Sequence, residues 1–179
     1  ITLDDGREQR YFRWTIWTQE RRYADSAAYA AAKRAELDAF DPAWNSEKQA
    51  GLDATLAKTA DDRRRLGEVF YFPGIPGPGL QGVFGEIGLE AFSYYLADCP
   101  DIIIEQLERN TVRAIAWIDQ LPESSGIEAG MLGDDMAFKS GPLLRPAWMR
   151  KHYFPRLARV IAAHHARGIK VLFHSDGNL

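Results

Sequence analysis

The sequence predicts an α/β fold: a parallel sheet with crossover helices. From residue 66 onward, short apolar runs of strand length alternate with longer segments of helical period, in the order strand, helices, strand, helix, strand. The runs at 68–72, 127–132 and 169–173 are mainly apolar, as strands of a buried parallel sheet are. The last two runs end in polar groups, Gly133-Asp134-Asp135 and His174-Ser175-Asp176-Gly177. Strand C-termini are where α/β proteins build sites, so these two ends predict one site mouth.

Residues 1–18 mix β-branched and aromatic side chains, Tyr11, Phe12, Trp14, Ile16 and Trp17, and Asp4-Asp5-Gly6 signals a turn. This predicts a hairpin or two extended pieces. Asp25-Ser26 caps a helix reaching about Phe40, with Tyr29, Ala32, Leu37 and Phe40 on its apolar face, and Asp41-Pro42 ends it. Ser46-Glu47-Lys48-Gln49 is a capping-box pattern opening a mostly polar helix to about Arg65. The strand at 68–72 leads into a Pro- and Gly-rich loop from Pro73 to Gly85. A helix follows from about Gly88 to Ala97, with Phe92 and Tyr95 or Leu96 facing inward.

Pro100 suits the first turn of the next helix, to about Leu121, with Ile103, Leu107, Thr111, Ala114 and Ile118 on one face. The strand at 127–132 and a loop over 133–144 precede a long helix from Pro146 to about Arg167, kinked by Pro155 and stopped by Gly168. The strand at 169–173 completes the pattern.

The 179 residues, 46% apolar and 26% charged, suit a globular domain with a core of its own. A net charge of −3 provides no field that would favour nucleic acid or an anionic membrane. No run approaches the roughly 18 apolar residues of a membrane span. The lone Cys99 rules out an internal disulfide or a cysteine-based zinc cluster within the chain, which predicts a cytoplasmic location. The chain opens on Ile1 and stops just past its last strand, so it reads as part of something longer, with an incomplete mouth.

Gly77-Pro78-Gly79-Leu80-Gln81-Gly82 matches a dinucleotide fingerprint in spelling only. Pro76 and Pro78 lack the N–H groups that such a loop offers to a pyrophosphate, and the helix is expected several residues later. Asp134 and Asp135 are stronger candidates. Adjacent carboxylates resist burial without donors, a cation or a substrate, so they suggest acid–base work, substrate anchoring or metal ligation, with turn capping as the plain alternative. One is expected to face the mouth and the other to support the loop. In extended backbone His174 and Asp176 share a side, so both can reach one metal, or Asp176 can orient the imidazole. Gly177 then permits a sharp turn. Lys139 and Ser140 stand near enough in sequence to hold an anionic substrate, and His164 and His165 read as packing or surface groups at a helix end.

Several segments, taken in order, resemble the uroporphyrinogen decarboxylase superfamily, which includes corrinoid-dependent methyltransferases. They are Gly82-Val83-Phe84-Gly85-Glu86 with Gly88-Leu89-Glu90-Ala91-Phe92, Asp98-Cys99-Pro100-Asp101, Gly133-Asp134-Asp135-Met136-Ala137-Phe138, Leu144-Arg145-Pro146-Ala147-Trp148, Tyr153-Phe154-Pro155, and the stretch 164–178. The resemblance implies a (β/α)8 TIM barrel with its site at the C-terminal mouth. The chain would then be an incomplete barrel fragment: a hairpin and helices over 1–65, then about three βα units over 66–179.

In the methyltransferase branch the final motif is His-x-Cys-Gly, whose His and Cys bind zinc. Here it stands as His174-Ser175-Asp176-Gly177, which implies a zinc site on His174 and Asp176 with any third ligand beyond Leu179. Asp134, Asp135 and His174 would be the catalytic groups, and Glu86 and Lys139 would line the substrate pocket. The implied function is metal-assisted one-carbon or corrinoid methyl transfer on a small-molecule substrate, with a corrinoid protein as partner. The first alternative is decarboxylation of uroporphyrinogen or a related acidic tetrapyrrole, without a metal. There Asp134 or Asp135 would face the ring N–H groups, and His174 would move a proton. The second alternative is a non-catalytic corrinoid- or partner-binding protein.

Overall fold

The structure, a computed structural model, describes residues 1–3 and 7–179. The chain folds as a mixed α/β molecule of helices around small sheets, with no closed barrel among the described residues. The turn expected at Asp4-Asp5-Gly6 lies outside the described residues.

The aromatic segment forms an antiparallel hairpin, β1 (Gln9–Tyr11) and β2 (Ile16–Thr18), with Arg10 opposite Trp17 and Tyr11 opposite Ile16. It stands away from the core, with Tyr11, Phe12, Trp14, Ile16 and Trp17 all exposed. Helix α1 (Ser26–Asp38) is capped as expected, Asp25 accepting from the Ala28 N–H at 2.8 Å, and Tyr29 and Leu37 are buried. Its apolar pattern does not announce Lys33, which is buried too.

The capping box at Ser46 is not the one used. The N-cap of α2 (Ser46–Leu66) is Asn45, whose side chain accepts from Lys48 N at 3.0 Å. Gln49 accepts instead from the indole N–H of Trp44 at 2.8 Å. An amide oxygen one residue earlier already meets the orphan donor, and the indole competes for the glutamine.

Two expectations fail between residues 68 and 87. The run 68–72 is no buried strand: Val69 and Phe70 are exposed. Pairing begins only at Pro73, whose carbonyl accepts from Met131 N, while Ile75 N donates to Met131 O. Gly74 makes a parallel bridge to Met131, and Ile75 rather than Val69 enters the core. The supposed loop up to Gly85 contains a helix, α3 (Leu80–Ile87), which starts directly after Gly79. Its glycines lower its local propensity, and its cap comes from a distant residue described below.

Helices α4 (Leu89–Asp98) and α5 (Pro100–Asp119) match the sequence reading. Phe92 and Tyr95 are buried, as are Ile103, Leu107, Thr111, Ala114 and Ile118. Strand β3 (Ala129–Gly133) pairs in parallel with β6 (Lys170–His174), with Leu132 beside Phe173 and Gly133 beside His174. With the bridge at Gly74, three parallel segments lie side by side in the order 74, β3, β6. Leu132 is buried and Val171 and Phe173 pack on the main core, while Met131 and Leu172 on the opposite face are 41% and 47% exposed. Helices therefore cover one face of this sheet only.

The segment 133–144, expected as a loop, holds a small hairpin of β4 (Ala137–Phe138) and β5 (Gly141–Pro142). The long helix is broken where Pro155 predicts. It runs as α6 (Pro146–Trp148), a wide π turn (Met149–Tyr153) and α7 (Phe154–Ala166). Phe154 N–H donates to Met149 O, five residues back. Proline lacks the N–H for the ordinary bond and crowds the carbonyl four residues earlier, and a widened turn relieves both.

Candidate functional site

Parallel pairing brings Gly133 and His174 side by side, so the two polar strand ends meet. The chains leaving them are stitched together. Asp134 N donates to His174 O at 3.0 Å, Met136 N to Ser175 Oγ at 3.0 Å, Asp176 N to Asp135 Oδ1 at 2.9 Å, and Asn178 N to Phe138 O at 2.9 Å. Gly177 turns the chain at φ +93°, and a Cβ there would strike the Ala137 backbone. The predicted sharp turn is thus required by both conformation and contact.

The adjacent carboxylates have opposite fates. Asp134 is fully buried beneath α3. Its Oδ2 accepts from Leu80 N at 2.8 Å and from the Tyr153 hydroxyl at 2.6 Å, and its Oδ1 accepts from Gln81 N at 2.5 Å. It supplies the anion and the cap that α3 lacks locally, since Gly79 has no side chain to offer. Burial pushes its carboxyl above the usual range, against the lowering by Tyr153 and by the backbone N–H groups of Gln81, Leu80 and Gly79. Asp134 therefore supports the loop, and every polar contact it makes is internal to the fold.

The same contact occupies the helix start that follows the glycine-rich run. The helix does begin right after Gly79, contrary to expectation. The anion place at its N-terminus is already taken by Asp134, so a pyrophosphate has no position there.

Asp135 points the other way, partly exposed. Its Oδ2 accepts from Gln81 Nε2 at 2.8 Å. With His174 and Asp176 it forms a cluster whose ligand-type atoms all lie within 4.8 Å of one another. His174 Nε2 stands 3.5 Å from Asp176 Oδ1, confirming that i and i+2 share a side. Ligands about 2.0–2.2 Å from a tetrahedral zinc lie about 3.4 Å apart, so that pair already has a suitable separation. Among the described residues a third candidate donor comes from the end of β3. The donor set is one imidazole and two carboxylates, harder than a thiolate set but within what zinc accepts.

Two other expected site residues do not join this cluster. Glu86 accepts from Lys33 Nζ at 2.6 and 2.8 Å and lies 3.0 Å from an Arg21 guanidinium nitrogen, in the groove between α1 and α3. Its carboxylate is committed to a buried ammonium. Lys139 is exposed at the β4–β5 turn. His164 is buried in the main core, and His165 is exposed beside it.

Gln81 and Tyr153, the groups that hold Asp135 and Asp134, carry no local sequence signal of these roles. The nearest signals are the Gly-rich run around Gln81 and Pro155 two residues after Tyr153. Comparisons with protein-family models, curated proteins and solved structures find no match for this chain.

Proposed function

We propose that the chain is part of a uroporphyrinogen decarboxylase-like barrel enzyme that carries out metal-assisted one-carbon or corrinoid methyl transfer. One observation carries this reading. Asp135, His174 and Asp176 converge at the C-terminal ends of two neighbouring parallel strands, with donor atoms within 4.8 Å. The barrel reading is supported by the three parallel segments, by helices on only one sheet face, and by Met131 and Leu172 exposed on the other. A parallel sheet is ordinarily covered on both faces, and further strands closing a barrel would cover this one.

In this reading Asp135, His174 and Asp176 hold a zinc ion. Bound there, the metal would act as a Lewis acid or lower the pKa of a bound nucleophile. Gln81 fixes Asp135 through its amide, and the Asp135 carboxylate fixes the Asp176 backbone. Asp134 acts through position alone, seating α3 against the strand end, with Tyr153 holding its carboxylate. The substrate is a small molecule, and a corrinoid protein is the methyl-carrying partner.

The test is elemental analysis of the purified chain beside His174→Ala and Asp135→Ala. About one zinc per chain, lost in both variants, supports the reading. A metal-free protein that takes up no added zinc overturns it in favour of decarboxylation, with His174 and Asp176 as a hydrogen-bonded pair.

A further inference from the structure

Helix α2 does not contribute to the main core. Leu52, Leu121, Ile127 and Ile169 form a second, smaller cluster, against which Trp44, Leu56 and Trp117 are only partly buried. Beside it lies a pocket of about 220 Å³, half open to solvent, between the α1–α2 connection, α2 and α5. Its walls include Phe40, Trp44, Leu52 and Trp117, and its charged lining groups are Arg113 and Lys48. Among the described residues no acidic side chain lines it. It shares no residue with the strand-end cluster.

Size and chemistry narrow the occupant. A dry cavity of about 150 Å³ takes benzene, and drug-sized ligands fill roughly 300–1,000 Å³. The volume here fits one aromatic ring with a short substituent. Two indoles and a phenyl ring provide the faces and edges that aromatic ligands pack against.

The charge comes from Arg113. Its guanidinium lies over the Phe40 ring, 5.4 Å from the centroid, and makes no hydrogen bond or ion pair to a described residue. Arg109, one turn earlier over the same ring, is already taken by Glu105 at 3.0 Å. The Lys48 ammonium donates to the carbonyls of Asp41 and Ala43. Arg113, an exposed residue at the rim of the pocket, thus keeps a full fork of donors beside an aromatic face. That is the geometry that takes a carboxylate bidentately.

We propose that this cavity binds a single-ring aromatic carboxylate, with its ring against Trp44 and Trp117 and its carboxylate on Arg113. The site is independent of the strand-end cluster, and its test needs no turnover.

Benzoate and the neutral benzyl alcohol are titrated into the full chain by calorimetry, with tryptophan fluorescence as a second readout. Two variants accompany them. Arg113→Gln removes the charge. Gly51→Leu fills the cavity from α2, where an added Cβ meets nothing within 4 Å and the helix gains propensity. The expected result is saturable benzoate binding, about tenfold or more tighter than benzyl alcohol. Arg113→Gln erases that preference and leaves benzyl alcohol unchanged. Gly51→Leu weakens both ligands by about tenfold or more without lowering the melting temperature. Equal affinity for the two ligands in the parent chain overturns the proposal, because the cavity would then be merely apolar. So does an absence of saturable binding, or benzoate binding that survives Gly51→Leu.

Discussion

The Tyr153 hydroxyl donates to Asp134 Oδ2 at 2.6 Å, both groups fully buried. This bond ties the wide turn ahead of Pro155 to the end of β3. The same oxygen also accepts from the first amide of α3, so one carboxylate joins three elements. Burial pushes the Tyr153 hydroxyl far upward, and the neighbouring Asp134 adds to this, which favours the hydroxyl as the donor to the carboxylate.

Tyr153→Phe removes a donor from a buried carboxylate while keeping the ring. It should cost about 1–3 kcal/mol in guanidinium denaturation. Metal content should not change, because Asp134 is not one of the proposed ligands. Unaltered stability would show that the bond contributes nothing net.

Gln81→Ala leaves Asp135 without its amide partner. On the zinc reading, affinity should fall about 10- to 100-fold, as it does when a group orienting a ligand is lost. Competition with a chelator of known affinity measures this. An unchanged affinity would remove Asp135 from the ligand set.

Lys33 is buried and bonded to both oxygens of Glu86, with the more exposed Glu36 as its other partner. Glu86→Ala should therefore destabilise by about 1.5–3 kcal/mol, the scale of a hydrogen bond to a charged group. Glu36→Ala should cost clearly less, because its carboxylate is half in water. Equal losses in urea denaturation would contradict this division.

His164 contributes to the pH dependence. Its Nδ1 lies 2.9 Å from Val160 O, so that nitrogen donates, and its buried Nε2 has no partner among the described residues. Protonation would bury an unpaired N–H, and burial lowers the pKa below its usual value, with the nearby His165 adding to the effect. The unfolded chain then binds more protons than the folded one, so stability rises with pH. The contribution is fully present above the ordinary histidine pKa of about 6.5 and is lost as pH falls from there through the lower folded-state pKa. His152, also lowered mainly by desolvation, acts in the same direction. Denaturation midpoints should drop between pH 7.5 and 5, and the drop should shrink in His164→Gln. An identical slope in the variant would assign the effect elsewhere.

Much of the helical layer was legible locally. Asp25 caps α1, Pro100 opens α5, and the spacing of Ile103, Leu107, Thr111, Ala114 and Ile118 names the buried face. The failures lie where distant contacts override local preference. A cap donated across 54 residues turns a Gly-rich stretch into α3, and Ile75 displaces Val69 and Phe70 from the core because pairing starts at Pro73.

The site divides along the same line. The sequence by itself determined that two strands end in carboxylate and imidazole groups, and that His174 and Asp176 share a side, because extended backbone repeats every two residues. The tertiary structure alone decided between the neighbours Asp134 and Asp135. One is sealed beneath a helix, and the other meets His174 and Asp176 across 41 residues of chain. Local rules reach only a few positions along a backbone, whereas the fate of a charge depends on which donors the fold carries to it from elsewhere.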